Sequence, residues 1–313
     1  MQISGILPIN KPINLRSAYC VDLVKRALGR KVKVGHGGTL DSTASGLLIV
    51  LIGQATRLSN FVMDLPKEYE VTLKFGEATS TDDFSGEVIQ REEWKHITDS
   101  KIDEIIPSYL GWRMQTPPVV SAVHVNGKRA HRLFRDGEDV ALNPKPVYFK
   151  SISRISDLSA QGEVSFRIFC RRGTYIRSFV RDIAFSLQSV AYVQKLCRVT
   201  TGSFNILDSL SLREKEDILY ENIIDKLLPL SAITKDMNTY ELDDCNSKRI
   251  IDGLQVSVSQ LKRKNFSGGI TTDLQNIALY SEKVLSIATM KREYATLNLC
   301  PQVNIIMNRG EIN

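Results

Sequence analysis

The chain has 313 residues, 42% hydrophobic and 24% charged, with a formal net charge of +6 at neutral pH. That composition fits a soluble protein of more than one domain, and no apolar run approaches the ~20 residues that a membrane span needs. Met1 to Asn10 lacks the layout of a secretory leader. The five cysteines (Cys20, Cys170, Cys197, Cys245, Cys300) form no Cys-x-x-Cys pair, so a cytoplasmic location and no zinc ribbon are expected.

In chain order, Ile6-Leu7-Pro8-Ile9 is an extended run that turns at Asn10-Lys11-Pro12. Ser17 is placed to cap a helix reaching Leu28, with Ala18, Val21, Val24 and Leu28 on one face and Gly29 as its stop. The stretch from Gly35 to Gly46 follows, holding four glycines, His36 and the single carboxylate of Asp41. Two readings of it stand side by side. Asp41 caps a helix or satisfies an amide in a glycine-rich turn, or the loop displays a reactive carboxylate to a bulky substrate. A P-loop is excluded because no Gly-Lys-Ser/Thr ends the stretch, and a metal site lacks two further ligands at short spacing.

Gly46 to Gly53 reads as a buried strand bracketed by glycines, and Thr56 to Leu65 as a helix with Leu58, Phe61, Val62 and Leu65 inward. From Lys67 to Gly76 the residues alternate, so Tyr69, Val71, Leu73 and Phe75 share one strand face. Taken alone, Tyr69 is a core tyrosine.

Gly35-His36-x-Gly38-Thr39-Leu40-Asp41 with the following Ala-Ser-Gly, Gly-x-Ala-Thr-Arg at 53–57 and Lys67-x-Tyr69 together resemble the bacterial tRNA pseudouridine-55 synthases, the TruB family. The resemblance implies isomerisation of a T-loop uridine in tRNA to pseudouridine, with Asp41 as the essential carboxylate. It places His36 and Tyr69 against the flipped-out nucleotide. Ser42 stands where the family usually has proline, and Asn14 where it usually has glycine, a change that a left-handed conformation tolerates.

Further along, Thr81 to Gly86 is a polar turn into a strand at Glu87 to Gln90, and Lys101 to Leu110 has helical periodicity. After Gln115-Thr116-Pro117-Pro118 the segment to Gly137 is dense in cations, with Phe134 among them. It reads either as a solvated basic face or as an RNA grip using both charge and stacking. The resemblance makes it the family's insertion that closes on the T-loop, bounded here as 115–146. Val120 stands where an aromatic is usual, and His124 where lysine is common. Lys11, Lys128, Arg129, Arg132 and Arg135 are the expected RNA-contacting cations.

Val147 to Ile152 and Val164 to Cys170 read as strands that lead into Arg171-Arg172-Gly173-Thr174-Tyr175-Ile176-Arg177 and a helix ending near Leu187. A strand-turn-helix start rich in arginine suits an anion, or is an ordinary charged surface helix. By resemblance, Tyr175 lines the substrate pocket, Arg177 partners Asp41, and Leu196 supplies an apolar pocket wall. Beyond a connector that looks helical from Leu212 to Leu230, short strand-like runs separated by polar turns suggest a small, mainly β domain.

The resemblance therefore implies an α+β protein: a pseudouridine-synthase fold with a central mixed, largely antiparallel sheet flanked by helices, plus a PUA-like C-terminal domain. The expected division is 1–232 for the catalytic domain and 233–313 for the RNA-binding one. The reaction moves a base within one molecule, so no cofactor is expected, and no metal. Catalytic roles are expected of Asp41, Tyr69 and Arg177, and substrate contacts of His36, Tyr69, Tyr175 and Leu196. The expected partner of this cytoplasmic monomer is tRNA, at its T-loop and T-stem. Two rivals remain: a non-catalytic tRNA-binding or folding protein on the same fold, and a guide-RNA-dependent synthase.

Overall fold

In a computed structural model the alternation that begins at Lys67 becomes the strand Lys67–Phe75, with Val71, Leu73 and Phe75 buried. The structure describes residues 3–121, 124–125, 128–129, 142–212, 218–265, 276–293 and 296–307. The fold is α+β, with a central mixed, largely antiparallel sheet flanked by helices and a mostly β C-terminal part. The chain divides into two compact units, Met1–Leu40 with Leu47–Leu65 and Thr201–Asn313, and Asp41–Gly46 with Pro66–Thr200.

In the second unit, Lys67–Phe75 pairs antiparallel with Glu163–Cys170, that strand with Lys145–Arg154, and that in turn with Gly111–Gln115. Val164, Phe166, Ile168 and Cys170 face a core completed by the helix Ile176–Ser186, which contributes Ile176, Phe179, Val180, Ile183 and Ala184. Their i, i+3, i+4 spacing forms one apolar stripe, which fixes the helix on the sheet face. Each large side chain buried there contributes roughly 1.5–3 kcal/mol. Phe179 adds edge-on ring contacts to Tyr109 at 5.5 Å and Phe166 at 5.9 Å.

In the first unit, Gly5–Lys11 pairs in parallel with Leu210–Ser211, and Val34–His36 lies antiparallel to the end of Ser45–Ile52. A six-stranded sheet runs in the order Val256–Ser257, Thr296–Ile306, Val284–Glu293, Ile277–Tyr280, Asn238–Glu241, Lys262–Asn265. Ile6, Leu47, Ile49 and Leu51 share one core with Ala278, Leu285, Ile287 and Ile305.

Some expectations change. Ser17 is the first helical residue rather than the cap of Ser17–Ala27. The helix expected over Thr56 to Leu65 is a 3-10 turn at Gly53–Leu58 followed by Ser59–Asp64, tightened where the Thr56 hydroxyl donates to the Gly53 carbonyl at 2.8 Å. Pro107 turns the end of Asp99–Ile105 into another 3-10 segment. Between 212 and 230 the described α-helix is Tyr220–Lys226 alone. The long strand Ala191–Thr201 and the helix Asp244–Ile251 were not legible: the strand buries three residues in succession, and the helix turns the polar Asn246 and Ser247 inward beside Ile250, so its apolar letters show no stripe.

Candidate active site

Asp41 sits in a turn that its own carbonyl closes by accepting from the Ala44 amide at 3.2 Å. Immediately before it, the Ser17 hydroxyl donates to the Leu40 carbonyl at 2.8 Å and accepts from the Leu40 amide at 2.9 Å. Immediately after it, the Thr43 hydroxyl donates to Asp83 Oδ2 at 2.9 Å. The other oxygen of Asp83 accepts from Thr81 Oγ1 at 2.8 Å, Ser85 N at 3.0 Å and Ser85 Oγ at 2.6 Å. Gly46, at φ +106°, ends the loop against the Arg198 backbone, where any Cβ would collide with the main chain. The glycine is therefore dictated by close approach. Asp41 caps no helix.

Its carboxylate instead meets Arg177, with Nη2 at 2.8 Å from Oδ2. The two ends of this pair are unlike: the Arg177 side chain is 6% exposed and that of Asp41 46%. The carboxylate is thus an open one that a buried cation holds at one oxygen. Arg177 lies in the first turn of Ile176–Ser186, where Nη1 donates to the Thr81 carbonyl and Nη2 to the Val120 carbonyl, each at 2.9 Å. Such charge-assisted bonds on several sides fix a guanidinium in one orientation. From the same helix, Ser178 Oγ and Arg181 Nη2 donate to the Thr116 carbonyl at 2.8 and 2.9 Å. Gln115 and Tyr175 bond reciprocally, Nε2 to the Tyr175 carbonyl at 3.1 Å and the Tyr175 amide to Oε1 at 2.9 Å.

Two phenols complete the surroundings of Asp41. Tyr69, opposite Ile168 in the strand pairing, is half-buried against the core. Burial pushes its phenol up, a shift that the charge and hydrogen bond of Arg198 partly oppose. Burial and then the Asp41 charge raise the Tyr175 phenol, against the nearby Arg177. Both phenols are therefore neutral hydrogen-bonding rings at ordinary pH. Leu196 packs partly buried against the same core, and its carbonyl accepts from Ser45 Oγ at 3.4 Å. Behind Tyr69, burial pushes the Cys170 thiol up to about 12, so it is a small apolar filler rather than a nucleophile.

The structure thus gathers Asp41, Tyr69, Tyr175, Arg177 and Leu196 in one unit. It adds Arg198, which is buried and was missed in the sequence, where the Lys195-Leu196-Cys197-Arg198 run pointed to Leu196 alone. Asp83 and Gln115 were also missed as supports of the loop and of Tyr175. His36 lies in the other unit, half-buried opposite Val50, and there the Gly37 amide donates to the Ile49 carbonyl at 2.8 Å. Asn14 does take a left-handed conformation, at φ 68°. Lys11 is corrected: it is fully buried and its ammonium donates to the carbonyls of Pro12 at 2.9 Å and Leu15 at 2.8 Å, so it braces the turn instead of meeting RNA. Arg132 and Arg135 lie outside the described residues, as do the side chains of Lys128 and Arg129, whose backbone pairs with 124–125. Among the described residues no group of three His, Cys, Asp or Glu side chains could hold a metal ion, and no helix is long and apolar enough to cross a membrane.

Residues 25–176 match the family model of the TruB family pseudouridylate synthase N-terminal domain. The chain is 36% identical to tRNA pseudouridine synthase B of Staphylococcus aureus strain MSSA476 over 91% of its own length and 93% of the relative's. It is also 36% identical to the protein of that name from Ehrlichia chaffeensis, over 82% and 87% of the two chains. Among solved structures, a chain of a Cbf5-Nop10-Gar1 complex superposes with a TM-score of 0.70 at 21% identity, covering 96% of this chain and 84% of that one. At that identity the likeness concerns the fold.

Proposed function

The chain belongs to the TruB family of pseudouridylate synthases, and from that membership we propose that it converts uridine-55 in the tRNA T-loop to pseudouridine, with Asp41 as the essential carboxylate. The observation that carries this reading is the half-exposed Asp41 carboxylate held at 2.8 Å by a buried Arg177. Product and substrate have the same atoms, so the reaction balances without oxidant, reductant or donor group. The N1–C1′ bond breaks, the base turns, C5 bonds to C1′, and the C5 proton leaves as N1 gains one.

A uridine in a folded loop reaches Asp41 only when flipped out, at a cost of a few kcal/mol. Charge-assisted bonding to Arg177 aims one oxygen and leaves the other open to the ribose. That oxygen can attack C1′ or remove the C2′ proton, and either route releases the base. Tyr69 stacks on the freed uracil, and its raised phenol suits a neutral stacking platform better than a base. Tyr175 and Leu196 wall the pocket, and His36 shapes the loop.

The insertion at 115–146 then grips T-loop and T-stem through Arg129, Arg132 and Arg135. Residues 1–232 act as the synthase and 233–313 as a PUA-like RNA-binding domain. The protein works as a cytoplasmic monomer.

Purified protein with bare tRNA transcript, read by tritium release or mass mapping, tests the reading. Wild type should convert a single T-loop uridine, and Asp41→Asn should convert none while its tRNA Kd stays within about threefold. Turnover by that variant would sink the role of Asp41. Wild type that binds without converting would be a non-catalytic tRNA binder. Conversion only when a guide RNA is added would make it a guided enzyme.

A further inference from the structure

The strand Ala191–Thr201 lies between Ser45–Ile52, which starts where the Asp41 loop ends, and Lys67–Phe75, which carries Tyr69. It therefore borders both halves of the site. Ser45 Oγ donates to the Leu196 carbonyl at 3.4 Å, Cys197 pairs with Ser45, and Arg198 pairs with Gly46. That last approach is close enough to require glycine: a Cβ on Gly46, at φ +106°, would collide with the Arg198 main chain. The backbone of Arg198 thus fixes where the Asp41 loop ends.

The Arg198 side chain serves the other neighbour. Its guanidinium hydrogen-bonds the Tyr69 phenol, and its charge acts on that phenol and on the Cys170 thiol behind it. Arg198 is 2% exposed, and a cation buried that deeply is costly unless hydrogen bonds compensate it. A guanidinium can only donate and does not give up its proton in a protein, so here the phenol oxygen accepts. The bond therefore orients Tyr69 without relaying a proton from it. A ring tied at Cβ by its strand and at its oxygen by a buried donor leaves its rotamer only by breaking that bond.

Such a tie matters at one stage of the reaction. Once the N1–C1′ bond is broken, the uracil is held only by its pocket while it turns, and C5 must then meet C1′. A misplacement of about 1 Å between the ring against the base and the loop against the ribose can cost about 100-fold. We propose that Arg198 is a positioning residue that sets the Tyr69 ring in a fixed place relative to the Asp41 loop, the loop held by its backbone and the ring by its guanidinium. This rests on the pseudouridine reading above and deepens it. The detached base exists only after tRNA has bound, so the effect falls on turnover and not on affinity.

The test is a double-mutant cycle between Arg198 and Tyr69, read as the single-turnover rate at saturating tRNA together with the tRNA Kd. Arg198→Met, which keeps the bulk but no donor, should lower the rate about 10- to 100-fold and leave Kd within about twofold. Arg198→Lys, which keeps a donor, should recover part of that loss. In a Tyr69→Phe background, with no phenol to hold, Arg198→Met should cost at most about a further threefold. Equal loss in both backgrounds would overturn the role, because a residue that merely holds the strands together acts whatever ring stands at 69. Arg198→Met turning over at the wild-type rate would overturn it as well, and so would a loss in Kd alone. Should Arg198→Met fail to fold by circular dichroism, Arg198→Lys in the two backgrounds supplies the same cycle with a smaller amplitude. Wild type that converts no tRNA uridine would defeat the functional reading itself, and this role with it, which keeps the two failures distinct.

Discussion

Replacing Arg177 by lysine separates what this side chain does for the fold from what it does for the reaction. The arginine spans three acceptors at once: the carbonyls of Thr81 and Val120 at 2.9 Å each and Asp41 Oδ2 at 2.8 Å. An ammonium on a single stem can serve one of them well. A buried acceptor left without its donor costs ~1–3 kcal/mol. With two abandoned, and water able to approach along the exposed side of Asp41, the loss is about 2–4 kcal/mol. The ion pair itself contributes ~1 kcal/mol or less, because Asp41 is 46% exposed and screened. The two variants should therefore differ. Asp41→Asn should cost under about 1 kcal/mol in a urea titration, and Arg177→Lys about 2–4 kcal/mol. The single-turnover rate of Arg177→Lys should fall roughly 100- to 1,000-fold, as when one positioned electrostatic group is lost. Equal urea midpoints for the two variants, with Arg177→Lys turning over within about threefold of wild type, would refute the account.

Three further outcomes are expected. The Tyr69 phenol is raised in the folded state, so the fold favours its protonated form; that contribution is full below about pH 10 and fades as pH climbs through the folded-state value. Tyr69→Phe should accordingly keep turnover within about tenfold, with a flat single-turnover rate from about pH 7 to 9; a log-linear rise with pH that vanishes in the variant would instead make Tyr69 the base. Gly46→Ala should destabilise by at least about 3 kcal/mol, because φ +106° and the Arg198 backbone both reject a Cβ, and an unchanged urea midpoint would mean that the close approach does not exist. Neutralising Arg129, Arg132 and Arg135 together should reduce the slope of log Kd against log salt by about 2–3, and an unchanged slope would show that they do not face phosphate.

Periodicity made the second unit legible. Val164 to Cys170 and Tyr69 to Phe75 alternate cleanly because each strand has one face on the core, and the helix from Ile176 repeats at helical spacing for the same reason. Ala191–Thr201 was opaque: it buries Ala191, Tyr192 and Val193 in succession and then Arg198, and no alternation survives such a strand. In the site, the residues around Asp41 and Arg177 stood out through motif resemblance, since a glycine loop alone fits a capping turn equally well. Lys11 misled because a lysine in a turn looks solvent-facing, whereas this one spends its donors on the carbonyls of its own turn. Arg198 gave no signal, because its relation to Tyr69 is made across strands that the sequence does not place together.

The helix Ile176–Ser186 holds the root of the insertion through main-chain carbonyls: Arg177 on Val120 O, Ser178 and Arg181 on Thr116 O. A carbonyl is present whatever side chain a position carries, so valine at 120 can replace an aromatic without loosening this grip. Sequence at the root of the insertion is therefore free to drift, while a change of length is not, because one added or deleted residue offers the helix the wrong carbonyl. Insertions grafted from other chains should seat on this scaffold when they keep Gln115, whose amide holds Tyr175, and the spacing from it to Val120, whatever letters stand at 116 and 120.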